Sequence, residues 1–175
     1  MTAAYTQLIP YKELGPGQAA AIRNEIVKYM IAQAVTQLRK SPDDFVVRDI
    51  RADLDLDFTY EDWRETTSAT ADAYETMSTG TMADQRWMGI FGVKNCLDTL
   101  ACTALKFNIG GADRAIWQLQ ALNEDDGWVG FTPFGIVIPQ NTPYIISRFV
   151  RSASASVCLV LKGLVVEPRG KVISP

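Results

Sequence analysis

The residues best suited to chemistry in this chain are carboxylates. Asp49, Asp53, Asp55 and Asp57 recur at even spacing, and Glu61, Asp62 and Glu65 follow. On a strand, carboxylates two residues apart share one face, so the series could hold a weak surface Ca²⁺. An EF-hand loop would need a glycine directly after its third acidic position, and that glycine is missing. The competing reading is a wetted strand face whose charges discourage edge pairing. It is the simpler one, and no metal site is expected.

A second acidic group, Glu124, Asp125 and Asp126, could supply one member of a glycosidase pair. Such enzymes hold two carboxyls roughly 5–10 Å apart in a cleft. Here the acids run directly into Gly127, and Asp-Gly supplies the positive φ of a tight hairpin turn. A turn is therefore expected.

Other chemistry is poorly supplied. The chain has no histidine, which removes the commonest general base and metal ligand. Ser152, Ser154 and Ser156 lack both a G-x-S-x-G setting and a base to activate them. Gly89, Gly92, Gly110 and Gly111 match neither a dinucleotide fingerprint nor a phosphate loop. Cys96, Cys102 and Cys158 form no C-x-x-C pair, which argues against zinc and a disulfide framework and for a reducing compartment. No cofactor is expected. An enzyme built on this sequence would have to work with carboxylates alone.

Composition sets further bounds. The 175 residues are 47% hydrophobic and 21% charged, with net charge −3 and a pI near 5.0. This balance offers no basic footprint for nucleic acid. The longest apolar run, Val157 to Leu161, falls far short of the roughly 20 residues that span a bilayer. Residues 1–17 hold polar groups throughout and no apolar core of a secretory signal. Neither nucleic acid nor membrane is an expected partner.

These candidates must be positioned by two kinds of element. Ile22, Ile26, Val27, Met30, Ile31, Ala34, Val35 and Leu38 recur at three- and four-residue steps, predicting an amphipathic helix over 18–40. Ser41-Pro42 stops it, because the residue before proline avoids helical geometry. Ile50, Ala52, Leu54, Leu56 and Phe58 then alternate with polar residues, predicting a strand over 46–58. Residues 66–82, rich in Thr, Ser and Ala, show no period and are expected to form a long loop. Short apolar runs punctuated by Gly110-Gly111, Asp126-Gly127, Pro133 and Pro139 to Pro143 predict strands at 86–93, 100–109, 114–122, 128–132, 136–138, 144–151 and 156–166.

The fold class is therefore mainly β: an antiparallel, jelly-roll-like sandwich preceded by one amphipathic helix. The expected organisation is an arm and helix over 1–44, a sandwich over 45–168 with its loop at 66–82, and a tail over 169–175.

The stretch ALKFNIGGADRAIWQLQALNEDDGWVGF, continued by TPFGIVIPQNTPYIISRFVRSASASVCLVLKGLVVEP, resembles the sandwich domains of viral structural proteins. In particular it is similar to accessory proteins that decorate or cement bacteriophage capsids. The resemblance implies a non-enzymatic virion protein, a capsid decoration, cement or minor capsid subunit, assembled in the host cytoplasm. It would act through contacts with copies of itself as a homo-oligomer and with a major capsid or other virion protein. Interface contributions are expected from Ile26, Met30 and Ile31 of the helix and from Trp63 and Tyr74. The alternative is a carbohydrate- or receptor-binding sandwich using Trp128 with Asp125 and Asp126.

Overall fold

The computed structural model describes residues 4–56, 58, 63–65, 70–96, 101–120, 122, 129–152 and 157–171. At residues 4, 63–65, 134 and 171 the description is of the backbone alone.

Helix α1 spans Gln18–Leu38 and starts behind Gly17, whose φ of +81° suits only glycine without strain. It ends on Arg39 in the left-handed region, whose N–H donates to the Val35 carbonyl. The strands are β1 (Ala4–Gln7), β2 (Ile9–Pro10), β3 (Phe45–Asp49), β4 (Trp63–Glu65), β5 (Ala73–Thr81) and β6 (Trp87–Asn95). They continue with β7 (Cys102–Ile109), β8 (Ala112–Gln118), β9 (Val129–Ile138), β10 (Pro143–Val150) and β11 (Val157–Pro168). A single helical turn, α2 (Ala52–Asp55), lies between β3 and β4.

The strands form two sheets. Their orders are β1-β8-β7-β10-β5 and β2-β9-β6-β11-β3, and β4 also pairs with β11. The arrangement is a long hairpin rolled on itself. At its tip β7 and β8 turn through Gly110-Gly111, both at positive φ. Behind the tip, β6 pairs with β9, β5 with β10 and β3 with β11, all antiparallel. Rolling brings β10 beside β7 and β11 beside β6. This nesting of two Greek keys is the jelly roll, so the mainly-β sandwich with one long helix is the observed fold.

Two apolar layers hold it together. Between the sheets lie Met88, Ile90, Leu105, Phe107, Trp117, Ile138, Ile146, Leu161 and Val165. Outside the second sheet, Ile26, Met30 and Ala34 of α1 bury against Trp87, Phe91, Phe131, Leu164 and Val166. The two layers explain why β6 is apolar almost throughout: both of its faces are covered. Gly89 and Gly135 allow the close approach, since a Cβ would stand 2.5 Å and 2.2 Å from atoms of Ile26.

Several expectations are corrected. The alternation over 46–58 is not one strand. β3 ends at Asp49, and the chain leaves the sheet through α2, with Ala52 and Leu56 buried one helical turn apart. The expected loop at 66–82 holds strand β5, paired along its whole length with β10. Residues 66–69 lie outside the described residues. The expected arm is bound in cis: β1 pairs with β8, β2 with β9, and Leu8 between them is 1% exposed. The two runs expected at 128–132 and 136–138 are one strand, β9, whose register against β6 slips between Ile90 and Gly92.

Candidate interaction surface

The expected site residues divide sharply. Ile26 and Met30 are 7% and 0% exposed, buried by the chain's own second sheet, so Met30 has no surface left for a partner and Ile26 little. The helix stripe is spent inside the molecule because a roof over a sheet must bury one face. Ile31 is half-buried in the same layer. Trp63 contributes backbone to β4, opposite Leu159, and its side chain lies outside the described residues. Trp128, Asp125 and Asp126 also lie outside them. Tyr74 is exposed, on the outer face of the first sheet.

That face has no helix over it among the described residues. It carries Tyr5 at 68%, Tyr74 at 39% and Ile145 at 40% exposure. The Tyr74 and Phe149 rings meet at 5.2 Å and a tilt of 59°, and the Lys106 ammonium sits 4.7 Å from the Tyr74 ring centroid. Burial of its ring pushes the Tyr74 phenol up from its ordinary value. Beside this pair is a hollow of about 190 Å³ lined by Thr103, Ala104, Gln118, Gln120, Phe149 and Arg151, with Tyr74 at its rim. A larger groove of about 750 Å³ opens where α1 meets the β8–β9 side, between Ile26, Tyr29, Arg114, Ile136 and Pro139.

The acidic series does something sequence reasoning missed. The Asp55 carboxylate, wholly buried, takes two hydrogen bonds from Arg48, Nη1 at 2.7 Å and Nη2 at 2.6 Å, and one from the Arg51 backbone N–H at 2.9 Å. The Glu167 carboxylate, 1% exposed, accepts from Arg48 Nε at 2.8 Å and from Arg86 Nε at 2.9 Å. Arg86 closes the ring through Nη1, 3.4 Å from Asp55. Two cations thus neutralise two anions around a closed circuit. The hydrogen bond from Arg48 to Asp55 raises the Arg48 pKa further. Every carboxylate oxygen in the ring is engaged as an acceptor, so the cluster is a structural clamp between β3, α2, β11 and the residue that leads into β6. The even spacing of the aspartates gave no hint of it, because the cations come from residues 48 and 86 and the second anion from residue 167.

A second internal pair joins Arg148, 3% exposed, to Glu75 at 3.2 Å. Of the thiols, Cys102 is buried between the sheets, and desolvation pushes it up to about 12, far from a nucleophile at neutral pH. Cys96 is exposed. Among the described residues no three His, Cys, Asp or Glu side chains gather as a metal site.

Comparison with known proteins returns no match: no family model, no curated protein and no solved structure is similar to this chain.

Proposed function

We propose that this protein is a non-enzymatic structural subunit, a jelly-roll building block of a virion such as a capsid decoration or minor capsid protein. The observation that carries the reading is the asymmetry of the sandwich. One sheet is roofed by α1, whereas the other presents Tyr5, Tyr74 and Ile145 to solvent. Exposed aromatics on a rigid sheet are economical contact groups, since they bring large area with few rotamers to freeze. The buried carboxylates Asp55 and Glu167 are engaged by Arg48 and Arg86 in a clamp rather than presented to a substrate. The fold supports the reading only as a scaffold, because jelly rolls also serve lectins and cupins.

The test is assembly. The purified chain should form closed oligomers or particles, seen by light scattering and electron microscopy. Ile145→Asp, at an exposed position, should abolish them while leaving the circular dichroism unchanged. Assemblies indifferent to Ile145→Asp and to Tyr5→Ser would show that this face is not the contact.

The hollow beside Tyr74 favours a second reading, a carbohydrate-binding sandwich. Aromatic rings with the amides of Gln118 and Gln120 and the Arg151 guanidinium are groups that hold vicinal hydroxyls. A glycan array probed with the monomer separates the two, and loss of any glycan signal on Tyr74→Ala would favour this one.

A further inference from the structure

The borders of the two sheets are unequal. β1, β2, β3 and β4 are four, two, five and three residues long, and β5 is nine. Natural sheets blunt their edges with shortness, proline or lysine, because a row of unpaired N–H and C=O groups invites another strand. β2 ends in Pro10, and β3 follows Pro42-Asp43-Asp44. β5, with the sequence AYETMSTGT, has neither proline nor lysine. Its one charge, Glu75, is engaged by Arg148 at 3.2 Å and by the Thr70 backbone N–H at 2.6 Å. On one side β5 pairs with β10, and among the described residues no strand lies on the other.

What this border can take follows from its chemistry. Nine residues at about 3.4 Å each give roughly 30 Å of half-satisfied backbone, which calls for a strand rather than an apolar plug. Tyr74, Thr76, Thr79 and Thr81 along it are exposed and uncharged. An identical strand can therefore lie antiparallel against it, in any register not centred on Glu75, without setting like charges opposite each other. The side wall of a two-sheet sandwich is about 20–25 Å thick, two sheets some 10 Å apart plus side chains. Over roughly 30 Å that wall measures on the order of 700 Å² per copy before the share taken by Asp53, Leu54 and Asp55, which line a hollow with Thr79, Gly80 and Thr81, so the contact is a small one against the ~800 Å² per partner of a stable interface.

We propose that β5 pairs antiparallel with β5 of a second copy about a two-fold axis, fusing the two five-stranded sheets into one. The proposal rests on the reading of this chain as an assembling subunit and names the contact that starts assembly.

The experiment is light scattering over a concentration series, combined with hydrogen exchange of the 73–81 segment. It uses the wild-type protein and the double variant Thr76→Lys with Thr79→Lys. Both positions face solvent, and lysine is the residue natural edges use, so the fold should survive; circular dichroism checks it. The expected result is a doubling of mass with concentration and slower exchange of β5 amides in the dimer. The double variant should weaken self-association at least tenfold. A larger assembly untouched by the variant, with β5 amides exchanging equally fast at all concentrations, overturns the edge contact and leaves the assembly reading standing on another surface. A wild type monomeric at every concentration overturns both.

Discussion

Asp55→Asn keeps the size of a fully buried side chain and removes one charge from the ring of Arg48, Asp55, Arg86 and Glu167. Two guanidiniums are then left around one carboxylate. The amide can accept at one atom only, and its NH₂ faces donors it cannot serve. Removing one partner of a buried pair costs about 3–5 kcal/mol. Arg48 and Arg86 keep 22% and 11% of their side-chain exposure, so water screens part of the loss. The lower end, about 3 kcal/mol, is the expected value. For a protein of this size that corresponds to a fall in Tm of roughly 6–12 °C. Guanidinium titration at pH 7, followed by circular dichroism and tryptophan fluorescence, measures it. The Lys28–Glu25 pair on α1, 73% exposed on both sides, is the control, and Glu25→Gln should not move the midpoint measurably. Replacing both members, Arg48→Met with Asp55→Leu, should recover much of the loss, because apolar groups of similar volume often substitute for a buried ion pair. A change below about 1 kcal/mol for Asp55→Asn would refute the clamp as a source of stability.

Further outcomes follow from the packing and the thiols. Gly89→Ala should cost about 1–3 kcal/mol, since its Cβ would stand 2.5 Å from Ile26 Cγ2, and adding Ile26→Leu, whose unbranched Cβ lacks that methyl, should return part of it in a double-mutant cycle. Leu8→Ala should cost about 2–5 kcal/mol in chemical denaturation, because Leu8 is 1% exposed and pins the first residues to both sheets. The Cys102 thiol is raised from 9.0 to about 12, so the unfolded chain releases this proton first. Its contribution is intact below pH 9 and falls, by about 1.4 kcal/mol per pH unit, as pH climbs toward 12. Cys102→Ala should flatten that part of the alkaline stability curve, measured as the difference from wild type. In the native state at pH 8, a thiol reagent should label Cys96 and spare Cys102.

The helix was legible because its stripe repeats over five turns and is ended by Ser41-Pro42. The late strands were legible because turn residues separate them, and Gly110-Gly111 sits where the chain reverses. β5 was not. It is an edge strand whose alternation is reset by a bulge between Thr76 and Ser78, so its inward positions pass from Ala73 and Glu75 to Ser78 and Gly80. Residues 50–58 misled for another reason: Ala52 and Leu56 satisfy both a two-residue and a four-residue period. The choice between the two was made by Arg48 and Arg86, which draw Asp55 inward. The fate of the helix stripe was equally hidden, since period shows which face is apolar but not whether a neighbour or the same chain covers it.

The residues that seal the β8–β9 side of the sandwich, Ala4 to Pro10, are made before the strands they seal. β1 waits for Ala115 to Gln118 and β2 for Gly130 and Phe131, more than a hundred positions later. At about 5–20 residues per second, that separation is on the order of 5–25 s of synthesis during which the segment has no ladder to join. Helix α1 is in the same position, since its floor is laid by β6, β9 and β11. On the ribosome these early segments must therefore wait for later ones, β1 and β2 for β8 and β9, and α1 for a floor completed by β11. The nascent protein spends that interval with an apolar helix face and an unpaired strand open to whatever is nearby.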